Sequence, residues 1–314
     1  MSHQKPGDLD YCVILNPSAG SGHALKEWPK IKAAFNEHGL NYHRMTTEGP
    51  GEAVRFSMSA AQEGYDVIVA VGGDGTAHEV INGLMQVRNE VESLPALGLI
   101  GVGRGNDFTH AVGVPVEINS AVRTLVKDQR RTIDIGHVEG GYYPGGRFFG
   151  NCVGVGFDAV GTIEAAKLPR LGGFLSFFIA VIKTIFLYHR GPLIELNHNG
   201  EVLKQRILMV SIMNGQRLGG GFWMAPQSAP DDGIFDICVV RQVPRRRVLT
   251  LVPHFLRGTQ ASQPEVLSLR ASEIEVFALE GSLPAQTDGE ILSIDDTHLK
   301  IALLPRALSV VTVR

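Results

Sequence analysis

Apolar positions in the first part of the chain form short continuous runs that alternate with stretches of helical spacing. The strand-like runs lie at 11–16, 41–47, 65–71 and 96–103, and the helix-like stretches follow at 24–39, 51–64, 77–86 and 119–128. The run YDVIVAV is almost wholly apolar, which is typical of a strand covered on both faces of its sheet. Strands that alternate with helices predict an open, largely parallel α/β sheet.

The pattern changes near residues 131–134. From there on, short strand-like runs are separated by Gly, Asn or Pro, which predicts an antiparallel sheet or sandwich. A length of 314 residues is enough for two ordinary domains. We therefore predict an α/β domain over 1–132 and a β-rich domain over 133–299.

The segment at 171–188 is the most apolar stretch of the chain, and its length approaches that of a membrane span. Lys183 lies within it, glycines begin it, and its apolar residues recur at helical spacing. These features predict an amphipathic or buried helix instead of a transmembrane one. Two roles stay open for this helix, namely a part of the core or a wall for an apolar ligand.

Charge and cysteine content narrow the class of protein. A formal net charge of -3 and a pI near 6.4 argue against a general nucleic-acid binder. Cys12, Cys152 and Cys238 are far apart in apolar contexts, which favours reduced core thiols over a zinc site or a disulfide framework. Because the polar N-terminus lacks the apolar core of a secretory signal, we expect a cytoplasmic protein.

Three Gly-rich loops follow predicted strands and carry the candidate chemistry: NPSAGSG at 16–22, GGDGT at 72–76 and GVGRGNDF at 101–108. Glycines expose backbone N–H groups without a Cβ, which suits phosphate. The carboxylate of Asp74 would repel phosphate unless magnesium or a donor group lies between them; the alternative is a tight turn with Asp74 as helix cap. Loops at the carboxyl ends of neighbouring strands converge, so together they predict a phosphate site.

The sequence resembles the diacylglycerol kinase catalytic-domain family of lipid kinases. The resemblance rests on these three loops, on Thr47 and on the later motifs APQSAPDDGIFDI and TDGE. GGDGT alone is shared with NAD kinases, and the later motifs distinguish the two. The resemblance implies an α/β nucleotide-binding domain of the NAD kinase and diacylglycerol kinase type, joined to a β-rich antiparallel sandwich. It also implies that the final run, about 300–314, returns to the first domain.

By the same resemblance, ATP phosphates lie against the first two loops, Thr47 lies at the nucleotide edge, and Glu79 supports the loop. Asp74 would face Mg²⁺ or the γ-phosphate. Arg104 stands where relatives commonly have Thr, which puts the usual nucleotide contact there in doubt. The implied ATP-binding residues are Asn16, Pro17, Ser18, Ala19, Gly20, Thr47, Gly72, Gly73, Asp74, Gly75, Thr76 and Glu79.

Two later motifs complete the implied site. Asp288 of TDGE matches the family's general base, which takes the proton of a lipid hydroxyl; Asp-Gly between apolar runs also predicts a hairpin turn. The Asp232 side chain and the carbonyls of Ala229 and Ile234 match a second Mg²⁺ site with a structural role. A turn with solvated acids is the alternative for that loop.

The basic cluster at 241–247, with Arg257 beyond it, is either a solvated face or a surface for anionic lipid headgroups. The resemblance therefore implies an ATP- and Mg²⁺-dependent kinase that phosphorylates diacylglycerol or a similar membrane lipid, in peripheral contact with the membrane. An NAD kinase-like enzyme and a catalytically inactive, membrane-associated nucleotide-binding regulator are the alternatives. The sequence leaves a monomer and a homodimer both open.

Overall fold

The structure is a computed structural model that describes residues 9–166, 173–188 and 190–313. The chain divides into two compact units. The first runs to Ile133 and includes the chain from Arg306 on, and the second is Asp134–Pro305.

The first unit alternates strands and helices. In chain order they are β1 (Asp10–Leu15), α1 (Ala19–Glu37), β2 (Asn41–Thr46), α2 (Glu52–Glu63), β3 (Val67–Gly72), α3 (Asp74–Gln86), β4 (Ala96–Gly101), α4 (Asp107–Ala111) and α5 (Ile118–Lys127). The strands pair in parallel in the order β2-β1-β3-β4, as the alternating pattern predicts. Every residue of β3 and β4 is buried, which explains their continuous apolar sequence.

The remaining chain is rich in strands. These are β5 (Arg130–Gly140), β6 (Tyr143–Phe149), β7 (Cys152–Gly156), β8 (Leu193–His198), β9 (Glu201–Met213), β10 (Arg217–Leu218), β11 (Phe222–Trp223), β12 (Phe235–Arg241), β13 (Val266–Ala271), β14 (Glu273–Glu280), β15 (Ala285–Thr287), β16 (Glu290–Ser293) and β17 (His298–Val311). A short 3-10 turn, Gln260–Ser262, precedes β13.

Strand pairing in the second unit is antiparallel. β9 is central, because β7, β8 and β12 all pair with it, and β15 and β13 extend the ladder on either side. The apolar faces of these strands form one core cluster, in which the rings of Phe149 and Phe235 stack with centroids 5.5 Å apart. The short alternating runs of the sequence thus correspond to a packed antiparallel sheet.

Helices of the second unit were only partly predicted. They are α6 (Phe157–Ala166), α7 (Gly173–Leu187) and α8 (Arg245–Arg257). Only α7 was expected, at 171–188, and residues 171–172 lie outside the described residues. Along α8, the buried residues Val248, Leu251 and Phe255 recur at helical spacing. The helix was not predicted, because basic residues directly precede this apolar pattern in the sequence.

The helix α7 is too short to cross a bilayer, and none of the described helices is long and apolar enough to do so. Lys183, which argued against a span in the sequence, forms an ion pair with Glu164 of α6 at 2.5 Å. Buried residues of α7, such as Val181 and Ile185, join a second apolar cluster with side chains of β9, β12 and α8.

Candidate active site

The three Gly-rich loops meet at the carboxyl ends of β1, β3 and β4. The Asn16 Nδ2 donates to Thr76 Oγ1 at 3.0 Å, which joins the first loop to the second. The backbone N–H of Val102 donates to the Gly72 carbonyl at 2.8 Å, which joins the second loop to the third. The loops therefore form one cluster, as expected for parallel strands that end at the same sheet edge.

Close contacts explain two of the glycines in this cluster. A Cβ at Gly103 would lie 2.3 Å from the Cα of Gly73, so a side chain there would push the second and third loops apart. A Cβ at Gly72 would lie 2.2 Å from Thr76 Oγ1, so a side chain there would displace the threonine that bonds to Asn16.

Asp74 lies in the first turn of α3, with Gly73 at the helix cap position. Its Oδ1 accepts a hydrogen bond from the backbone N–H of Phe108 at 3.0 Å, at the beginning of α4. The carboxylate therefore holds the third loop against the second, and Gly73 occupies the cap position of α3. Its contact with Mg²⁺ stays a prediction.

Glu79 and Thr47 hold the chain between β2 and α2. The two carboxylate oxygens of Glu79 accept hydrogen bonds from the N–H groups of Gly51 and Ala53 at 2.9 and 3.1 Å. Thr47 is buried, and its N–H donates to the Leu15 carbonyl at 2.9 Å. This places Thr47 beside the first loop, because Leu15 directly precedes Asn16.

Two residues of the third loop were not assigned a role by the sequence. Asn106 has left-handed backbone angles with φ of 52°, and its side-chain oxygen accepts from the Gly103 N–H at 3.0 Å. Asn tolerates this conformation better than most residues, which is a sequence signal that can identify it. Arg104 donates to the Ser21 hydroxyl and so links the third loop to the first.

Asp288 lies in the second unit, in the hairpin turn between β15 and β16. Its φ is 49° and that of Gly289 is 90°, so the predicted Asp-Gly turn is present. The carboxylate is buried and accepts three backbone hydrogen bonds, at 2.9 Å from Gly150, 3.0 Å from Asn151 and 2.8 Å from Cys152. The turn thus fixes the carboxylate, and the turn and catalytic interpretations are compatible.

A second buried carboxylate, Asp158, is connected to this turn through Gln286. Gln286 Oε1 accepts from the Gly289 N–H at 2.7 Å, and its side chain also hydrogen-bonds to Asp158. Burial raises the pKa of the Asp158 carboxyl to about 6, against hydrogen bonds from Ser211 and Gln286 that lower it. Neither residue is identifiable from the sequence, because the helix α6 that carries Asp158 was not predicted and the partners of both side chains are distant in the chain.

At the predicted second metal site, an arginine side chain contacts the carboxylate that was expected to bind the metal. Asp232 forms an ion pair with Arg270, and its Oδ1 accepts from the Ile234 N–H at 3.3 Å. No group of three or more His, Cys, Asp or Glu side chains that could hold a metal occurs in the described part of the chain. Arg270 competes with a metal ion for the Asp232 carboxylate, and the site formed by Ala229, Asp232 and Ile234 stays a prediction.

Comparisons with known proteins match two successive parts of the chain. Residues 10–138 match the model of the diacylglycerol kinase catalytic domain, and residues 151–312 match that of the YegS C-terminal NAD kinase beta sandwich-like domain. The two models describe an α/β domain and a β-sandwich-like domain, so the predicted fold class is confirmed.

Similar proteins cover nearly the whole chain. A diacylglycerol kinase of Bacillus subtilis (strain 168) is 29% identical over 280 residues, 88% of either chain. A protein of Chromohalobacter salexigens named "Probable lipid kinase YegS-like" is 31% identical over 305 residues, 96% of this chain and 92% of its own.

Solved structures show the same fold. That of a diacylglycerol kinase from Bacillus anthracis str. Sterne has a TM-score of 0.73 at 24% identity and covers 96% of each chain. An NAD kinase from Archaeoglobus fulgidus in complex with ATP has a TM-score of 0.53 at 14% identity, covers 96% of this chain and 93% of its own, and shows likeness of fold alone. From the matched domain models and the relative that is 31% identical, the chain belongs to the family of diacylglycerol kinases and YegS-like lipid kinases.

Proposed function

We propose that the protein is an ATP-dependent lipid kinase that transfers the γ-phosphate to a hydroxyl of diacylglycerol or a similar membrane lipid. The observation that carries the proposal is the carboxylate of Asp288, which is fixed by three backbone N–H groups in a chain of this family. A buried, rigidly oriented carboxylate is suited to accept a proton from a substrate hydroxyl.

In the proposed reaction, backbone N–H groups of the three loops bind the ATP phosphates. Mg²⁺, when bound, neutralises charge on the phosphates, and oxygen ligands such as the Asp74 carboxylate suit it. The lipid oxygen attacks the γ-phosphorus while Asp288 takes the hydroxyl proton. A new P–O bond forms, the bond between the γ-phosphorus and the bridging oxygen breaks, and ADP leaves with that electron pair.

A patch on α7 and α8 supports contact with a membrane. It consists of exposed Phe186 and Leu187 at the end of α7 and exposed Arg245, Arg246 and Leu249 on α8. Arg245 Nη2 donates to the Phe186 carbonyl at 2.8 Å, which holds the two helices together at this point. We call this set the α7–α8 patch and propose that it binds anionic lipid surfaces, since exposed apolar and basic groups lie together.

Not every residue of the basic cluster belongs to that patch. Arg247 forms hydrogen bonds with both oxygens of Glu265, at 2.8 and 3.0 Å, and with Gln263 at 2.9 Å. Its role is therefore to anchor α8 to the chain before β13, and within the basic cluster only the exposed arginines belong to the membrane proposal.

Replacing Asp288 with Asn tests the proposed function. The Asp288→Asn variant tolerates the left-handed backbone and keeps an acceptor oxygen for the Asn151 and Cys152 N–H groups, but its amide nitrogen leaves the Gly150 N–H unpaired, which costs about 1–3 kcal/mol, so folding is checked by thermal unfolding. With radiolabelled ATP and diacylglycerol in mixed micelles, kcat should fall by roughly 10² to 10⁴ because the base is lost.

Asp295→Asn, at an exposed position after the same hairpin, is the matched control and should keep full activity. Undiminished turnover in Asp288→Asn contradicts the role of the base. NAD is offered in parallel as an acceptor, and phosphorylation of NAD without phosphorylation of lipid would support the NAD kinase-like alternative.

A further inference from the structure

The three backbone donors that hold the Asp288 carboxylate lie at or just before the first residue of β7. The Asn151 and Cys152 N–H groups both donate to Oδ1, and the Gly150 N–H donates to Oδ2. Cys152 is held by the sheet, because β7 pairs with β9 at Cys152 and Met213. Gly150 and Asn151 precede the strand, so the strand pairing does not fix them.

The side chain of Asn214, directly after β9, supplies a hydrogen bond at this point. Its Nδ2 donates to the Gly150 carbonyl at 2.8 Å and to the carbonyl of Asp134, in β5, at 2.9 Å. Asn214 is 0% exposed. Both hydrogens of the amide are therefore used, and the side chain ties the segment before β7 to β5.

The Gly150 carbonyl and the Asn151 N–H belong to the same peptide group. Because a peptide group is planar, a bond that fixes the carbonyl oxygen also fixes the direction of the N–H at the other end. That N–H donates to Asp288 Oδ1 at 3.0 Å. Hydrogen bonds at both ends of a peptide group also strengthen each other by polarisation. Asn214 thus acts on the carboxylate through one peptide group.

The next peptide group is fixed without the Asn214 side chain. Its carbonyl, that of Asn151, accepts from the backbone N–H groups of Asn214 and Gly215 at 2.8 and 2.9 Å, and its N–H is that of Cys152. Loss of the Asn214 side chain should therefore loosen the Asn151 donor and leave the Cys152 donor in place. This asymmetry distinguishes a local support from a general contribution to folding.

The other polar atom of the side chain gives no further reason for an amide here. Asn214 Oδ1 is buried and has no hydrogen-bond partner in the described part of the chain. A buried acceptor without a partner lowers stability, so a core position with no other role would favour an apolar residue. The contribution of the side chain therefore lies in its two donors.

We propose that Asn214 is a positioning residue for Asp288, and that it directs the Asn151 N–H toward the carboxylate that takes the substrate proton. This inference rests on the proposed kinase function. A carboxylate that loses a fixed donor can rotate away from the substrate hydroxyl, and small displacements in such sites are costly. We expect Asn214→Ala to lower kcat roughly 10- to 100-fold, part of the contribution of a general base, and to leave the KM for ATP within about twofold of wild type.

A double-mutant cycle tests the route of this effect. If Asn214 acts through Asp288, Asn214→Ala should change kcat less than about twofold once Asp288→Asn has removed the base. A structural residue would lower kcat by the same factor in both backgrounds, and that outcome overturns the inference. Asn214→Ser keeps one hydroxyl donor, so its kcat should lie between those of wild type and Asn214→Ala. It takes the place of Asn214→Ala in the cycle if that variant does not fold.

Gln260→Ala is the matched control. Gln260 is a buried amide of the same unit, 2% exposed, and its Nε2 donates to the Met224 carbonyl at 2.9 Å. In the described part of the chain it does not bond to residues 150–152. It should keep the kcat of wild type. A loss as large as that of Asn214→Ala would mean that any buried amide of this unit has the same effect, and would overturn the inference.

Hydrogen exchange at single amides, followed by NMR without substrate, separates this inference from the proposed function. In Asn214→Ala, exchange at Asn151 should be at least about tenfold faster than in wild type, while exchange at Cys152 stays within about twofold. That result supports the role of Asn214 even if wild type phosphorylates no lipid, in which case the kinase proposal fails alone. Unchanged exchange at Asn151, or equal acceleration at both amides, in a protein that phosphorylates lipid overturns the inference and leaves the kinase proposal standing.

Discussion

At Gly73 and Gly103 the second and third loops of the first unit touch through their backbones. A Cβ on Gly103 would lie 2.3 Å from Gly73 Cα, and the neighbouring Phe108 N–H donates to Asp74 at 3.0 Å. The position of Asp74 therefore depends on the absence of a side chain at Gly103, in the next loop.

We predict that Gly103→Ala weakens ATP binding. The added methyl group must separate the two loops, which costs about 1–3 kcal/mol of stability and displaces the phosphate donors. We expect the Kd for ATP to rise at least about tenfold, measured by calorimetry beside thermal unfolding, since small displacements in such sites are costly.

Gly145→Ala is the control for that substitution, because a Cβ there meets no atom within 4 Å. It should bind ATP as wild type does. An unchanged Kd in a folded Gly103→Ala protein would show that the close approach of the loops is unimportant for the nucleotide.

At the scale of elements, α8 combines a buried apolar face with an exposed basic one. Val248, Leu251 and Phe255 are buried, while Arg246 and Leu249 are exposed and lie three residues apart on one face. The buried face packs in the second apolar cluster, and the exposed face belongs to the α7–α8 patch. One helix thus connects the proposed membrane contact with the core of the second unit.

We predict that Arg246→Gln reduces binding to anionic vesicles. Each surface charge contributes about 1 kcal/mol near such a membrane, so affinity should fall about fivefold at low salt and the difference should shrink at high salt. Leu249→Gln should reduce binding to anionic and neutral vesicles alike, because it removes apolar contact. Sedimentation with the two vesicle types measures both effects.

Lys32→Gln, at an exposed position on α1, is the matched charge control for the vesicle experiment. It should bind as wild type does. Equal losses in Lys32→Gln and Arg246→Gln would mean that net charge, and not the α7–α8 patch, determines binding.

At the scale of the whole molecule, β17 begins in the second unit and ends in the first. The division falls between Pro305 and Arg306, where φ is 50°. In the first unit, Val310 pairs with Leu97 of β4, and the Thr312 N–H donates to the Gln129 carbonyl at 2.8 Å. The α/β unit is therefore completed by residues that follow the whole β-rich unit in sequence.

We predict that ending the chain after Pro305 unfolds the first unit while the second stays folded. The deletion removes three buried side chains, Leu308, Val310 and Val311, worth roughly 5–9 kcal/mol of burial. That is comparable to the full stability of a domain. Hydrogen exchange should show lost protection in β1 and β3 and retained protection in β9 and β12.

Val313→Ser, at an exposed position beyond β17, controls for changes at the C-terminus and should leave protection unchanged. Retained protection of β3 in the shortened chain would show that the first unit folds without its last strand.

Much of this organisation could be predicted from local sequence. The continuous apolar run before Gly72 corresponds to β3, and the Asp-Gly pair at 288–289 forms the expected hairpin turn. The helices α6 and α8 were not predicted, since α6 follows a Gly-rich strand directly and basic residues precede the apolar face of α8. In both cases tertiary burial outweighs the local signal.

By itself the sequence determined the alternation of strand and helix, the Gly-rich loops at the strand ends and the Asp288 turn, because periodicity and turn preference are properties of neighbouring residues. Only the tertiary structure decided that Asp232 pairs with Arg270 and that Asp158 is buried against Ser211. Both depend on packing between segments far apart in the chain. The environment of each of these two carboxylates is set by those distant segments, and no local pattern encodes it.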